Sequence, residues 1–188
     1  SLEAGERVAT PAYSAAELSD VRGFGLFAMK PAAVALNCAE PAIRPAQAWL
    51  AAHSAGPMAV VSASLEAELM GLDSADAAAF RADAGLPDAA LARVSGAVLG
   101  AADRIRFYTG NERQITAWLL PRGATALDAA GTIHSDLARG FVRVDVAPVD
   151  DVIANGGLAP LRASGRLRQE GRDSVIVDGD FLLVHFTR

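Results

Sequence analysis

The sequence predicts an α/β segment that gives way near residue 104 to a compact α+β segment, and three observations carry that reading. Two short apolar runs, 31–37 and 58–62, flank a helical stretch, which is the strand–helix–strand order of a βαβ unit. From 64 to 102 the apolar spacing is helical. Beyond Arg104 the period shortens to that of strands, with Gly- and Asp-rich turns between them.

Taken in order, Ser14-Ala15-Ala16-Glu17 has the form of a capping box and starts a short helix. The continuous apolar run 31–37 suits a strand buried on both faces, as in a parallel sheet. Residues 44–53 form a helix with Pro45 in its first turn, and 58–62 a second buried strand. The helical stretch 64–102 breaks at Gly71-Leu72-Asp73 and Gly85-Leu86-Pro87, with Asp73 or Ser74 and then Asp88 as caps. Strands 104–108 and 114–120 are joined by Thr109-Gly110-Asn111-Glu112 as a hairpin loop. A short helix covers 124–130. Residues 141–146 alternate as a half-buried strand should. A helix over 149–154 ends at Asn155-Gly156-Gly157. Short strands at 167–170 and 174–177 enclose Gly171-Arg172-Asp173. Asp178-Gly179-Asp180 then turns the chain into 181–186, apolar enough for a central strand.

Composition excludes several classes. The chain has 188 residues, room for one ordinary domain or two small ones, and 52% of them are hydrophobic. No apolar stretch approaches the roughly 18 residues a membrane span needs, and residues 1–7 are polar and acidic, unlike a signal peptide. A cytoplasmic protein with no membrane partner is expected. A single cysteine, Cys38, rules out an internal disulfide framework, and His53, His134 and His185 have no metal-ligand spacing. A net charge of −5 argues against a nucleic-acid surface spread over the whole chain, so any RNA contact is local. The chain begins with Ser1 rather than Met, which fits a piece of a longer protein.

Several chemical motifs do not occur: Gly-x-x-x-x-Gly-Lys-Ser/Thr, His-Glu-x-x-His, Cys-x-x-Cys and Gly-x-Ser-x-Gly. Gly23-Phe24-Gly25-Leu26-Phe27-Ala28 has the letters of a dinucleotide fingerprint. It follows a helix and precedes a strand, the reverse of what a phosphate-binding turn requires, so it reads as a loop. Asn37-Cys38-Ala39-Glu40 lies at the carboxyl end of a predicted strand, where open α/β sheets bind ligands. An amide there both donates and accepts, and a carboxylate three residues on accepts from a base edge. Ser62-Ala63-Ser64, ending the next strand, lies beside it and offers backbone N–H groups. An ordinary strand-to-helix loop explains the same letters.

Further along, His134 with Asp136 reads first as a histidine closing a helix end, and second as a partner-binding surface. An acid–base pair is the third reading. Arg162, Arg166, Arg168 and Arg172 cluster with only Glu170 to offset them, a local basic patch able to meet RNA phosphates or an ordinary solvated face. Trp118 and Phe141 suit a core, His185 a satisfied core or edge position, and His53 a solvated helix end.

Lys30-Pro31 followed by a strand and Asn37-x-x-Glu40, then Ser62-Ala63-Ser64-Leu65-Glu66-Ala67-Glu68-Leu69, resembles the end of the nucleotide domain of the YchF/Obg-like ATPase family. The resemblance continues through Phe107-Tyr108-Thr109-Gly110-Asn111-Glu112 and Ala117-Trp118. It is strongest from Ala129-Ala130-Gly131-Thr132-Ile133-His134-Ser135-Asp136 to Gly140-Phe141-Val142-Arg143. Gly165-Arg166-Leu167-Arg168-Gln169-Glu170-Gly171-Arg172-Asp173 and Val177-Asp178-Gly179-Asp180 complete it, in order over nearly the whole chain.

The resemblance implies an α/β remnant of a P-loop nucleotide domain (1–70), a helical connector (71–103) and an α+β β-grasp, ubiquitin-like TGS domain (104–188). It implies base recognition by the loop of Asn37, Cys38 and Glu40 with Ser62, Ala63 and Ser64 beside it, and gives the patch of Arg166, Arg168 and Arg172 an RNA or ribosome partner; His134 and Asp136 remain the candidate partner-binding surface read from the residues themselves. In the family Asn-x-x-Glu replaces the guanine-reading Asn-Lys-x-Asp, and ATP is accepted beside GTP. The phosphate loop and the magnesium ligands belong to the family's N-terminal half. The 188 residues alone are therefore expected to bind ATP or GTP weakly or not at all, to hold no Mg²⁺, and not to hydrolyse nucleotide. The implied partners are nucleotide and, through the TGS domain, ribosome or RNA. Unpaired sheet edges are an expected route to oligomers. The alternative is a stand-alone, non-enzymatic β-grasp binding module.

Overall fold

The computed structural model of the chain describes residues 14–53, 56–111 and 114–187. Residues 1–7 and Glu112 of the expected hairpin loop lie outside them. The chain forms two compact units, Ser1–Ala102 and Asp103–Arg188.

In the first unit the capping box at Ser14 and Glu17 starts α1 (Ala15–Arg22). Two parallel strands follow, β1 (Val34–Asn37) and β2 (Met58–Val61), joined through α2 (Ile43–His53) as the sequence pattern required. β2 is buried at Ala59, Val60 and Val61. β1 is not: Val34, Ala35 and Asn37 are exposed, which corrects the expectation of burial on both faces. Among the described residues β2 is the sole strand beside β1, whereas α2 and α5 (Ala90–Ala101) pack on β2. An apolar run reports what a strand tolerates, not which neighbours are present to bury it.

Between them lie α3 (Ala63–Leu69) and α4 (Ser74–Asp83). Asp73 caps α4 by accepting from the N–H groups of Ala75 and Asp76, both at 2.9 Å. Asp88 does not cap α5, whose N-cap is Ala89 with no side-chain bond. The acceptor comes instead from Glu66 of α3, whose Oε1 takes the Ala90 N–H at 2.8 Å. The core of this unit gathers Ile43, Val60, Leu65, Leu69, Ala77 and Leu86.

The second unit is a five-stranded mixed sheet with the order β4–β3–β7–β5–β6. Its strands are β3 (Arg104–Gly110), β4 (Ile115–Pro121), β5 (Phe141–Pro148), β6 (Arg168–Glu170) and β7 (Asp180–Phe186). β7 is central, parallel to β3 and antiparallel to β5, as its apolar run predicted. A Thr125–Asp128 capping box starts α6 (Ala126–Ile133), and α6 packs against Ile105, Phe107, Leu120, Val144, Val146 and Leu182. On the opposite face α8 (Val149–Ala154) and α9 (Leu158–Ala163) bring Val152 and Leu161 onto Ala147 and Phe181. β5 is covered from both sides, so all four residues from Val144 to Ala147 are buried rather than alternating.

Residues 174–177 do not form the expected strand. One bridge joins Val175 to Thr125, and Ile176 N–H donates to the Ala124 carbonyl, so the segment ties down the start of α6 while Ile176 fills the core. Gly140 is required by a close approach: a Cβ there would stand 1.9 Å from the carbonyl oxygen of Thr187, where the chain end pairs with Gly140.

Candidate functional site

The parallel pairing of β1 and β2 sets Asn37 opposite Val61, so the loops leaving both strands emerge side by side. The Cys38 N–H donates to the Val61 carbonyl at 3.0 Å. Asn37 Oδ1 accepts from the Ala63 N–H at 3.1 Å, joining the two loops directly. Ser62 is buried and caps α3 by accepting from the Leu65 N–H at 3.5 Å, with its Oγ 3.2 Å from Ser64 Oγ. Cys38 is half-buried with Sγ 3.7 Å from the Val61 oxygen, and Glu40 is exposed at the start of a 3-10 turn, Glu40–Ala42. The sequence reading placed these residues together, and the structure does the same. It differs in one respect: the Ala63 N–H, expected to be on offer to a ligand, is taken by Asn37. With its Oδ1 engaged, the exposed Asn37 still carries an amide NH₂ able to donate.

Just behind these loops lies a charged cluster that sequence reasoning missed. Arg81 donates to Glu66 through Nε (3.1 and 3.2 Å) and Nη2 (2.9 Å). These hydrogen bonds hold the Glu66 carboxyl below its ordinary range, against the opposing effect of burial. Nε and Nη2 of Arg93 are buried with no bonded partner among the described residues, and burial pulls that guanidinium below its ordinary value. The partners stand 15 and 24 residues apart in sequence, a separation that carries no local signal.

In the second unit His134 closes α6 and caps α7 (Ser135–Arg139): its Nδ1 accepts from the Asp136 N–H at 3.1 Å. Asp136 is ion-paired with Arg139. The side chains of His134, Asp136, Arg139 and Phe186 line an open cavity of about 680 Å³. The geometry is that of a histidine tying down a helix junction. The same Nδ1 stands 3.6 Å from Asp136 Oδ2, and its lone pair is engaged by the backbone donor.

The arginine cluster is corrected. Glu170 is not its sole counter-charge: Arg162 meets Asp145 at 3.0 Å, Arg166 meets Asp151 at 2.7 Å, and Arg168 meets Asp180 at 3.3 Å and Glu170 at 3.8 Å. Folding brings in three carboxylates from outside 162–172. Arg172 is exposed and gives its carbonyl to the Leu127 N–H. Asp145, almost fully buried, also faces His185 Nε2 at 3.0 Å and Arg143 at 3.8 Å. Burial pushes its carboxyl up, but His185 and Arg162 outweigh that and hold it below the ordinary value. Asp180 is the opposite case: burial dominates and raises it despite the Val177 N–H and Arg168.

Among the described residues no group of three His, Cys, Asp or Glu side chains gathers as a metal site, and no helix is long and apolar enough to cross a membrane. Asn37 and Glu40, three residues apart in the loop that leaves β1, both present their side chains to solvent, an amide and a carboxylate.

The family YchF-GTPase_C, described as a protein of unknown function (DUF933), matches residues 105–187. The chain is 30% identical over 175 residues to the ribosome-binding ATPase YchF of Pasteurella multocida, covering 90% of this chain and 48% of that protein. It is 32% identical over 127 residues to the ribosome-binding ATPase YchF of Bacillus subtilis, covering 68% of this chain and 34% of that one. The structure of the Schizosaccharomyces pombe YchF GTPase shares the fold, with a TM-score of 0.62 at 21% identity over 92% of this chain and 48% of that chain. The chain thus spans about a third to a half of the length of these curated relatives. It belongs to the YchF/Obg-like ATPase family and corresponds to that family's C-terminal half.

Proposed function

We propose that this chain serves a YchF/Obg-like nucleotide-binding protein in two ways: its first unit recognises the base, and its second is a TGS module that meets the ribosome. The observation that carries the first part is the Asn37–Ala63 bond, which locks the ends of two parallel strands into one rigid edge beside an exposed amide and Glu40. Cys38 lays no aliphatic stem along a base as Lys does, and Glu40 sets its carboxylate further out than Asp, which favours ATP at this site as well as GTP. Phosphate and Mg²⁺ contacts come from residues outside this chain. On that reading the first unit is the remnant of a P-loop domain (1–70) with its helical connector (71–103).

The reading of the second unit as a β-grasp, ubiquitin-like module is supported by the sheet order β4–β3–β7–β5–β6, with β3 and β7 parallel at its centre and α6 across one face. Relatives named as ribosome-binding support a ribosomal partner in the cytoplasm. Contact residues are His134 and Asp136 beside the open cavity, with Arg166, Arg168 and Arg172 near β6. Arg166 and Arg168 are about half exposed while paired, so each still presents donors outward. Ultracentrifugation of the chain with ribosomes through a sucrose cushion tests this. The chain pellets with ribosomes at low salt, and Arg172→Glu together with His134→Ala reduces the pelleted fraction at least about threefold. A chain that stays in the supernatant overturns the assignment.

A further inference from the structure

The two edges of the five-stranded sheet are built differently. The β6 edge is three residues long, Arg168–Glu170, and carries charge at both ends, two devices that discourage further strand pairing. The β4 edge is seven residues long, and from Gln114 to Pro121 it holds no charged side chain. Ile115 is 46% exposed and Leu119 54%, with Ala117 exposed between them.

The hydrogen-bond phase of this edge follows from the ladder with β3. The Asn111 N–H donates to the Gln114 carbonyl, and the Arg122 N–H to the Asp103 carbonyl. Bonded pairs recur every second residue in an antiparallel ladder. The polar backbone groups of Gln114, Thr116, Trp118 and Leu120 therefore turn toward β3. Those of Ile115, Ala117 and Leu119 turn outward, and Pro121, with no N–H, ends the series.

This outward series is symmetric about Ala117. We infer that β4 pairs antiparallel with the β4 of a second copy of this chain, across a two-fold axis at Ala117. Ile115 then lies opposite Leu119 of the partner subunit, Ala117 opposite Ala117 of the partner subunit, and Leu119 opposite Ile115 of the partner subunit. Each outward N–H meets an outward carbonyl, the exposed branched side chains pack in pairs on one face, and no like charges meet at the axis. A different extended partner would need its own apolar spacing to match; a second copy matches by construction.

Sedimentation velocity of the full chain over a roughly hundredfold concentration range tests the pairing. The wild-type mass rises with concentration from 19.4 kDa toward twice that value. Ala117→Pro removes an N–H that faces away from β3, leaves the native ladder intact, and holds the chain monomeric. Ala117→Lys sets two ammonium groups against each other at the axis and weakens association at least about tenfold. It decides the matter should circular dichroism show that the proline variant is unfolded. Ile153→Lys, on the exposed side of α8, leaves the dimer unchanged. A wild-type chain that stays monomeric throughout, or a dimer that survives both Ala117 substitutions, overturns the inference.

Discussion

Replacing Glu66 by Ala removes the acceptor on which three backbone and side-chain elements converge. The carboxylate takes the Nε and Nη2 donors of Arg81 and the first free N–H of α5 at Ala90. Charge-assisted hydrogen bonds contribute about 1.5–3 kcal/mol each when well buried. Here Arg81 and Glu66 side chains are 19% and 24% exposed, so solvent screening lowers that figure. Loss of the carboxylate also leaves Arg81 and the partner-poor Arg93 as neighbouring like charges. The combined cost is about 2–4 kcal/mol, somewhat under that of breaking a fully buried ion pair. Urea denaturation followed by fluorescence separates the units, because Trp49 reports the first and Trp118 the second. In Glu66→Ala the Trp49 transition shifts to lower urea while the Trp118 transition keeps its midpoint, since the partners of the Glu66 carboxylate, Arg81 and Ala90, lie in the first unit. The sign of the pH dependence follows from the lowered carboxyl: the wild-type advantage is complete above the ordinary Glu value of 4.5 and disappears as pH falls through the lower folded-state value. An unchanged Trp49 midpoint, or an advantage that grows in acid, refutes this reasoning.

Two buried aspartates on adjacent strands respond in opposite ways. Asp145→Asn costs about 1–3 kcal/mol at neutral pH, measured by urea titration of the Trp118 signal. Its contribution is present above the ordinary Asp value of 3.8 and is lost as acid titrates the lowered folded-state carboxyl. Asp180 has a raised folded-state value, so its contribution is complete below 3.8 and is lost as pH rises through that raised value. Asp180→Asn therefore changes neutral-pH stability by less than about 1 kcal/mol, because the amide keeps an acceptor for the Val177 N–H. Gly140→Ala drives a methyl group into the Thr187 carbonyl and costs about 2–3 kcal/mol, with faster amide exchange at the Gly140–Thr187 pairing and at the adjoining ends of β5 and β7.

Local signals were legible wherever the cause is local. The Ser14 capping box, the Asp73 cap and the apolar run that becomes β7 all act over a few residues, and each forms as expected. Asp145 was not legible: on an alternating strand an Asp between two Val reads as solvent-facing, and its burial is made tolerable by His185 of β7 and by Arg162, which α9 delivers from 17 residues away. The arginines 162–172 looked unbalanced for the same reason, since their carboxylates come from β5, α8 and the start of β7. β1 erred in the other direction, because its apolar composition says nothing about which layers are present. At the loops, residue types placed Asn37 beside Ser62-Ala63-Ser64. The bond that commits Asn37 Oδ1 to the Ala63 N–H depends on strand register, which emerges only when the sheet forms.

Chemical-shift perturbation in the ¹⁵N-labelled chain, titrated with ATP and then GTP to millimolar concentration, tests the central claim most directly. The account predicts affinity no tighter than about 1 mM, or roughly −4 kcal/mol. Shifts centre on the Asn37 side-chain NH₂ and on the amides of Cys38, Glu40, Ala63 and Ser64, fade in Asn37→Ala, and come with no release of phosphate. Micromolar binding, hydrolysis by the chain alone, or shifts that avoid the two loops would contradict it.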